Sequence, residues 1–170
     1  MRRRVFFILM LLWMAGIFAF SSRSGSESTE DSYFAGTIVG DLFIPGFDEW
    51  SEEEQQAFAG KIDHPVRKTA HAAEYAVLGL LAAGVCIPAS ASRRDEKAMP
   101  EEVRYDRNMK SRPGEIVREL FLPWAIAAAY AATDEFHQLF VPGRSGQISD
   151  VLLDSAGALS GLLLLTAVRL

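Results

Sequence analysis

Four apolar runs constrain what this 170-residue chain can become. Residues 5–20 are apolar apart from the small Gly16, and further runs occupy about 69–88, 120–140 and 151–168. A helix needs roughly 20 residues to cross the hydrocarbon core of a bilayer, and the first run reaches that length with Arg4 and Ser21-Ser22 as interfacial ends. The second and fourth runs also suit core helices of a soluble protein, but four such segments with charged flanks favour a membrane bundle. The expected fold is all-α: a polytopic membrane protein, a four-transmembrane-helix bundle forming one domain over residues 1–170, with spans at about 5–21, 69–88, 120–140 and 151–168. Arg2-Arg3-Arg4 before an apolar core also fits a signal peptide cleaved near Ala19-Phe20-Ser21. The length of the run and its bulky Phe6, Phe7, Trp13, Phe18 and Phe20 favour a retained span.

Loop charges set the expected orientation. Residues 89–118 carry eight Lys or Arg, and Arg2–Arg4 and Arg169 add to them. The 21–66 segment carries only Arg23 and Lys61 against ten acids. The positive-inside rule therefore places both termini and the 89–118 loop in the cytoplasm. The segment 22–66 becomes an outer loop, and 141–149 an outer turn. Within that outer loop, Ser51 and Glu54 have capping-box spacing and predict a helix start. Residues 43–47 read as a turn, and Ala57, Phe58 and Ile62 as residues on the membrane surface.

The net charge of −5 argues against a nucleic-acid partner. The one cysteine, Cys86, allows no intramolecular disulfide and sits in an apolar run, where free cysteine packs as a small hydrophobe. No phosphate loop or dinucleotide fingerprint is present, and no cofactor is expected.

Polar groups concentrate where the runs meet the outer boundary. Lys68, His71 and Tyr75 lie on one stripe of the second helix, with Glu74 at its edge. Tyr130, Asp134, His137 and Gln138 share a face of the third, with Glu135 beside them. On the fourth, Asp150 and Asp154 precede Gly157 and Gly161, a small-xxx-small pattern that draws helices together. Arg144 lies in the turn between them. Ionisable side chains in a membrane are costly and are paired or functional by default.

Several chemistries suit this set. An interhelical network would have Lys68 or Arg144 neutralising Asp134, Glu135 or Asp154, and His71 bonding Glu74 or Tyr75. A metal site would draw on His71, Glu74, Glu135 and His137, but the tight His-Glu-x-x-His pattern is missing and no metal is expected. An acid–base enzyme would use His71, Asp134, Glu135 or Asp154, although no nucleophile stands out among Ser21, Ser22, Ser24 and Ser145. A binding site would use Lys68, Arg67 and Arg144 for phosphate or carboxylate, and Tyr75, Asp134, Glu135, Gln138, Asp150 and Asp154 for amine or sugar groups. His71, Asp134, Gln138, Asp150 and Asp154 are expected to converge on one outward-opening cavity, with Arg144 at its lip.

These blocks resemble the VanZ-like family of bacterial membrane proteins. The first is the serine-rich exit Ser21-Ser22-Arg23-Ser24. The second is Lys68, His71 and Tyr75, as Lys-x-x-His-x-x-x-Tyr. The third is Asp134, Glu135, Gln138, Pro142, Arg144 and Asp150, followed by Asp154 and Gly157. Together they span nearly the whole chain except 89–118. The resemblance implies a multi-pass protein of the bacterial cytoplasmic membrane. It also implies a role at the cell envelope, such as binding or modifying a lipid-linked or cell-wall-related ligand. The founding member is associated with low-level teicoplanin resistance, so an antibiotic-resistance role is implied by resemblance alone.

Overall fold

A computed structural model describes residues 1–87 and 117–169, and every regular element among them is helical. Helix α1, Arg2–Ser21, has 20 residues and reaches about 30 Å, the depth of a hydrocarbon core. Met10, Met14 and Ile17 turn toward the other helices. Phe7, Ile8, Leu11, Leu12 and Phe18 stay exposed, an apolar surface that water would not tolerate but lipid accepts.

Most of the segment 22–66, expected as an outer loop, is helix. Helix α2 is Gly25–Phe43, opened by a capping box in which Glu27 N–H donates to Ser24 Oγ and Ser24 N–H donates to Glu27 Oε2. It stops before Pro45, and Gly46 takes φ +76° to turn the chain. A short 3-10 turn, Phe47–Glu49, leads into helix α3, Glu52–Cys86, whose capping box is the predicted Ser51–Glu54 pair. Helix α3 has 35 residues, about 50 Å, so the run read as starting near residue 69 is only its C-terminal half. Pro65 lies inside it without ending it. The N-terminal half packs against α2 through small residues, with Gly36 against Ala59. Phe58 packs on Phe47 and Trp50 at the tip of this hairpin.

A π-helical turn, Val117–Phe121, leads into helix α4, Leu122–Gln138, with Pro123 in its first turn, where proline is tolerated. Helix α5 is Ile148–Arg169 and starts three residues before the expected boundary. Helices α1, α3 and α5 are long and apolar enough to cross a membrane, and the chain is a membrane protein. Helix α4, with 17 residues, is shorter than those three. The connection 88–116, which carries most of the basic residues behind the predicted orientation, lies outside the described residues.

Helix α3 is the hub, packing against each of the other four helices and most extensively against α5. The predicted small-residue seam forms there. A Cβ on Gly157 would run into the Ala72 carbonyl, and one on Gly161 would come within 2.5 Å of the Ala76 carbonyl. The core is built from Tyr75, Leu78, Ala82, Ala127, Ala131 and Ala158. Two contacts define the ends of the bundle. Arg3 Nε donates to the Val85 carbonyl at 2.8 Å, and Lys68 Nζ meets Asp150 Oδ1 at 2.5 Å, 17 residues earlier on α3.

Candidate functional site

The polar cleft lies at the Lys68 end, away from Arg2–Arg4. Two chain reversals build its rim. The exit from α1, residues 22–24, meets the turn between α4 and α5, and Gly25 N–H donates to the Pro142 carbonyl at 3.0 Å. The backbones touch so closely that a Cβ on Gly25 would collide with the Gly143 carbonyl, and Gly143 itself holds φ +73°. This contact fixes Arg144, whose Nε donates to the Arg23 carbonyl at 3.2 Å. Its guanidinium is left facing the cleft.

The cleft holds about 120 Å³ and is lined by residues from α3, α4, the turn and α5. Helix α3 contributes His64, Arg67, Lys68 and His71. Helix α4 contributes Glu135 and Gln138, the turn Gly143, Arg144, Ser145 and Gln147, and α5 Asp150, Leu153 and Asp154. Of the predicted set, Lys68, His71, Glu135, Gln138, Arg144, Asp150 and Asp154 meet here. Tyr75 and Asp134 do not line it. Tyr75 is fully buried in the core against Tyr130, and the Tyr130 hydroxyl donates to the Met14 carbonyl at 2.6 Å. Asp134 is 2% exposed, and its Oδ2 accepts from Ser21 Oγ at 2.7 Å and from Gln138 Nε2 at 3.4 Å. Helix α1 thus covers the carboxylate, and the Ser21–Asp134 pair is sealed away from the cleft. His137 stacks on Phe18, with ring centroids 4.4 Å apart.

The charges divide unevenly. Lys68 pairs with Asp150, not with the deeper acids expected for it. Arg67 pairs with Asp63 one helical turn before it. His71 Nδ1 faces Glu74 at 3.6 Å, beyond hydrogen-bond distance. Glu135 is held by neutral donors: Gln147 N–H at 2.8 Å and Gln138 Nε2 at 3.2 Å. Asp154 is 1% exposed, and its Oδ1 has no donor. Among the described residues, no basic nitrogen lies within 4 Å of a carboxylate oxygen of Asp134, Glu135 or Asp154. Nor does any carboxylate lie that close to Arg144. Burial, and next the positive charge of Arg67, lower the Arg144 pKa from its ordinary value. The cleft therefore has an electropositive lip and an electronegative inner end.

Sequence reasoning placed Arg67 with Lys68 and Arg144 but missed His64 in the lining, and missed Ser21 as a donor to Asp134. The i, i+3, i+4, i+7 spacing of His64, Arg67, Lys68 and His71 signals a shared face, but only once α3 is known to begin before residue 69.

No curated protein and no solved structure matches the chain significantly. The VanZ/LLP1 family model matches residues 6–169, which takes in every helix of the cleft. With the match covering nearly the whole chain, this protein belongs to the VanZ/LLP1 family.

Proposed function

We propose that this protein sits in the bacterial cytoplasmic membrane with both termini inside, and that it binds an anionic, envelope-derived ligand in a cleft open to the outside. One observation carries the reading: Arg144 is held by its Nε at the lip with no carboxylate partner, while Lys68 and Arg67 are each paired. A half-buried guanidinium without a counter-ion is a receptor for phosphate or carboxylate, which it grips through two parallel donors. Binding is favoured over catalysis because the hydroxyl–carboxylate pair that most resembles an activated nucleophile, Ser21 with Asp134, is shut away from the cleft. The family resemblance supports a part in glycopeptide resistance of the teicoplanin type as the physiological setting.

The test is titration of the purified, detergent-solubilised protein with ethyl phosphate. Saturable binding is expected, weakened about tenfold or more in Arg144→Gln, the scale of a charge-assisted hydrogen bond. Equal binding by wild type and variant would remove the anion reading. In cells, teicoplanin susceptibility should fall when the gene is present and return with Arg144→Gln at matched membrane levels. Identical susceptibility in all strains would remove the resistance role.

A further inference from the structure

We propose that the inner end of the cleft, at Asp154 and Glu135, is a subsite for a protonated primary amine, so that the ligand carries both a phosphate for Arg144 and an ammonium group. The inference rests on the reading of Arg144 as an anion receptor and specifies the rest of the molecule bound there.

Asp154 lines the cleft, is almost wholly buried, and keeps a carboxylate oxygen without a donor. The charges acting most strongly on it belong to Glu135, Asp134, Asp150 and Glu74, all carboxylates. Of these, Asp150 is neutralised by Lys68. The others have no Lys or Arg nitrogen within 4 Å among the described residues. A buried carboxylate without a partner is expensive, and at this depth no bulk water repays the lost hydration. Asp154 is part of the cleft lining, so a ligand bound there can bring the missing positive charge beside it. Glu135 and Gln138 stand beside it as further acceptors.

An ammonium group fits better than the alternatives. A hydroxyl brings one donor and no charge, which leaves the excess of carboxylates uncompensated. Among the described residues, no three His, Cys, Asp or Glu side chains are placed to share a metal ion. A primary ammonium brings one charge and three donors in a compact volume. At the other end, Arg67 lies close enough for its charge to act on Arg144. The Arg144 guanidinium, with Arg67 adding positive charge to the same cleft lining, suits phosphate. A phosphate and a primary amine on one short scaffold occur in a free phosphoamine and in an aminophospholipid headgroup.

The full chain in dodecyl maltoside micelles would be titrated with phosphoethanolamine, phosphocholine and ethyl phosphate. Dihexanoyl phosphatidylethanolamine, phosphatidylcholine and phosphatidic acid form the lipid arm. Phosphoethanolamine or its lipid is expected to bind about tenfold tighter than its choline counterpart, because three methyl groups remove every N–H donor. The arm showing the preference identifies a free or a lipid-borne ligand. Asp154→Asn should erase the preference while ethyl phosphate binds as before, and Arg144→Gln should weaken all phosphates together. Equal affinity for amine and choline ligands in the wild type would overturn the amine subsite and leave the anion site standing. Absence of all phosphate binding would overturn both. The wild-type series decides the matter even if Asp154→Asn fails to fold, and Asp154→Glu supplies a charged variant in which the preference should survive.

Discussion

Ser21 and Asp134 show how one hydrogen bond ties sequence to packing. Their side chains meet across 113 residues of chain, between α1 and α4, with almost no exposure. Removing the donor leaves an acceptor buried, so Ser21→Ala should cost about 1–3 kcal/mol of stability in thermal unfolding of the detergent-solubilised protein. Asp134→Asn should behave oppositely. Its amide oxygen can still accept from Ser21, and with no cation within 4 Å among the described residues the charge it removes is one that was costly to bury. Unchanged or higher stability is expected, and a fall of several degrees in melting temperature would show that the charge itself holds α1 in place. The sequence shows Asp134 as an acid at helical phase with Gln138, and both are indeed neighbours. It does not show that α1 would cover the carboxylate. That outcome depends on which face of a nearly uniform apolar helix turns inward, and α1 carries no periodic polar mark to decide it.

Helix α2 was missed because its polar and apolar residues are mixed around the axis and its composition reads as loop. Its start was nevertheless written in Ser24 and Glu27, which have the same spacing as the Ser51–Glu54 pair that was recognised. Ser24, through its hydroxyl and backbone N–H, holds the Glu27 carboxyl below its ordinary value of 4.5. A depressed folded-state pKa means this stabilisation is fully present above that ordinary value and is lost as pH falls through the lower folded value. The protection factor of the Ser24 N–H, which donates to the Glu27 carboxylate, should therefore fall below pH 4.5, and Glu27→Gln should flatten that pH dependence. An unchanged protection factor in the wild type would mean the cap contributes little. The glycine side of the α3–α5 seam was readable, because glycine spacing reports directly on close approach, but its partner, the Ala72–Ala76 face of α3, was not. Gly157→Leu should separate the helices, lower stability by about 1–3 kcal/mol through overpacking, and weaken ethyl phosphate binding, since Lys68 and Asp150 close the same interface one to two turns away. Gly16→Ala is the matching control: nothing lies within 4 Å of its added Cβ, so it should be neutral or stabilising by about 0.5–1 kcal/mol.

The cleft matters at the cell envelope only if the bundle crosses the membrane in the orientation that opens it outward. Helix α4 decides the number of crossings. It is the shortest of the segments read as spans, but its ends reach both poles of the bundle. Trp124 and Leu120 pack beside Ile87 and Leu162 toward the Arg3–Val85 pole, while Gln138 and Pro142 stand at the Arg144 pole. The π-helical turn Val117–Phe121 adds the length that α4 alone lacks. With the four crossings we propose, the poles face opposite compartments. Basic residues retained on the cytoplasmic side would put Arg2–Arg4 inside and Arg144 outside. A cysteine at Glu30, exposed on α2, should react with a membrane-impermeant maleimide in intact cells, in a Cys86→Ala background. A cysteine at Ser111, in the connection between α3 and α4, should react only after the membrane is opened. Reactivity at both sites in intact cells would mean that α3, the helix between them, does not cross. The reverse pattern would turn the cleft toward the cytoplasm, and the ligand would then have to be sought there.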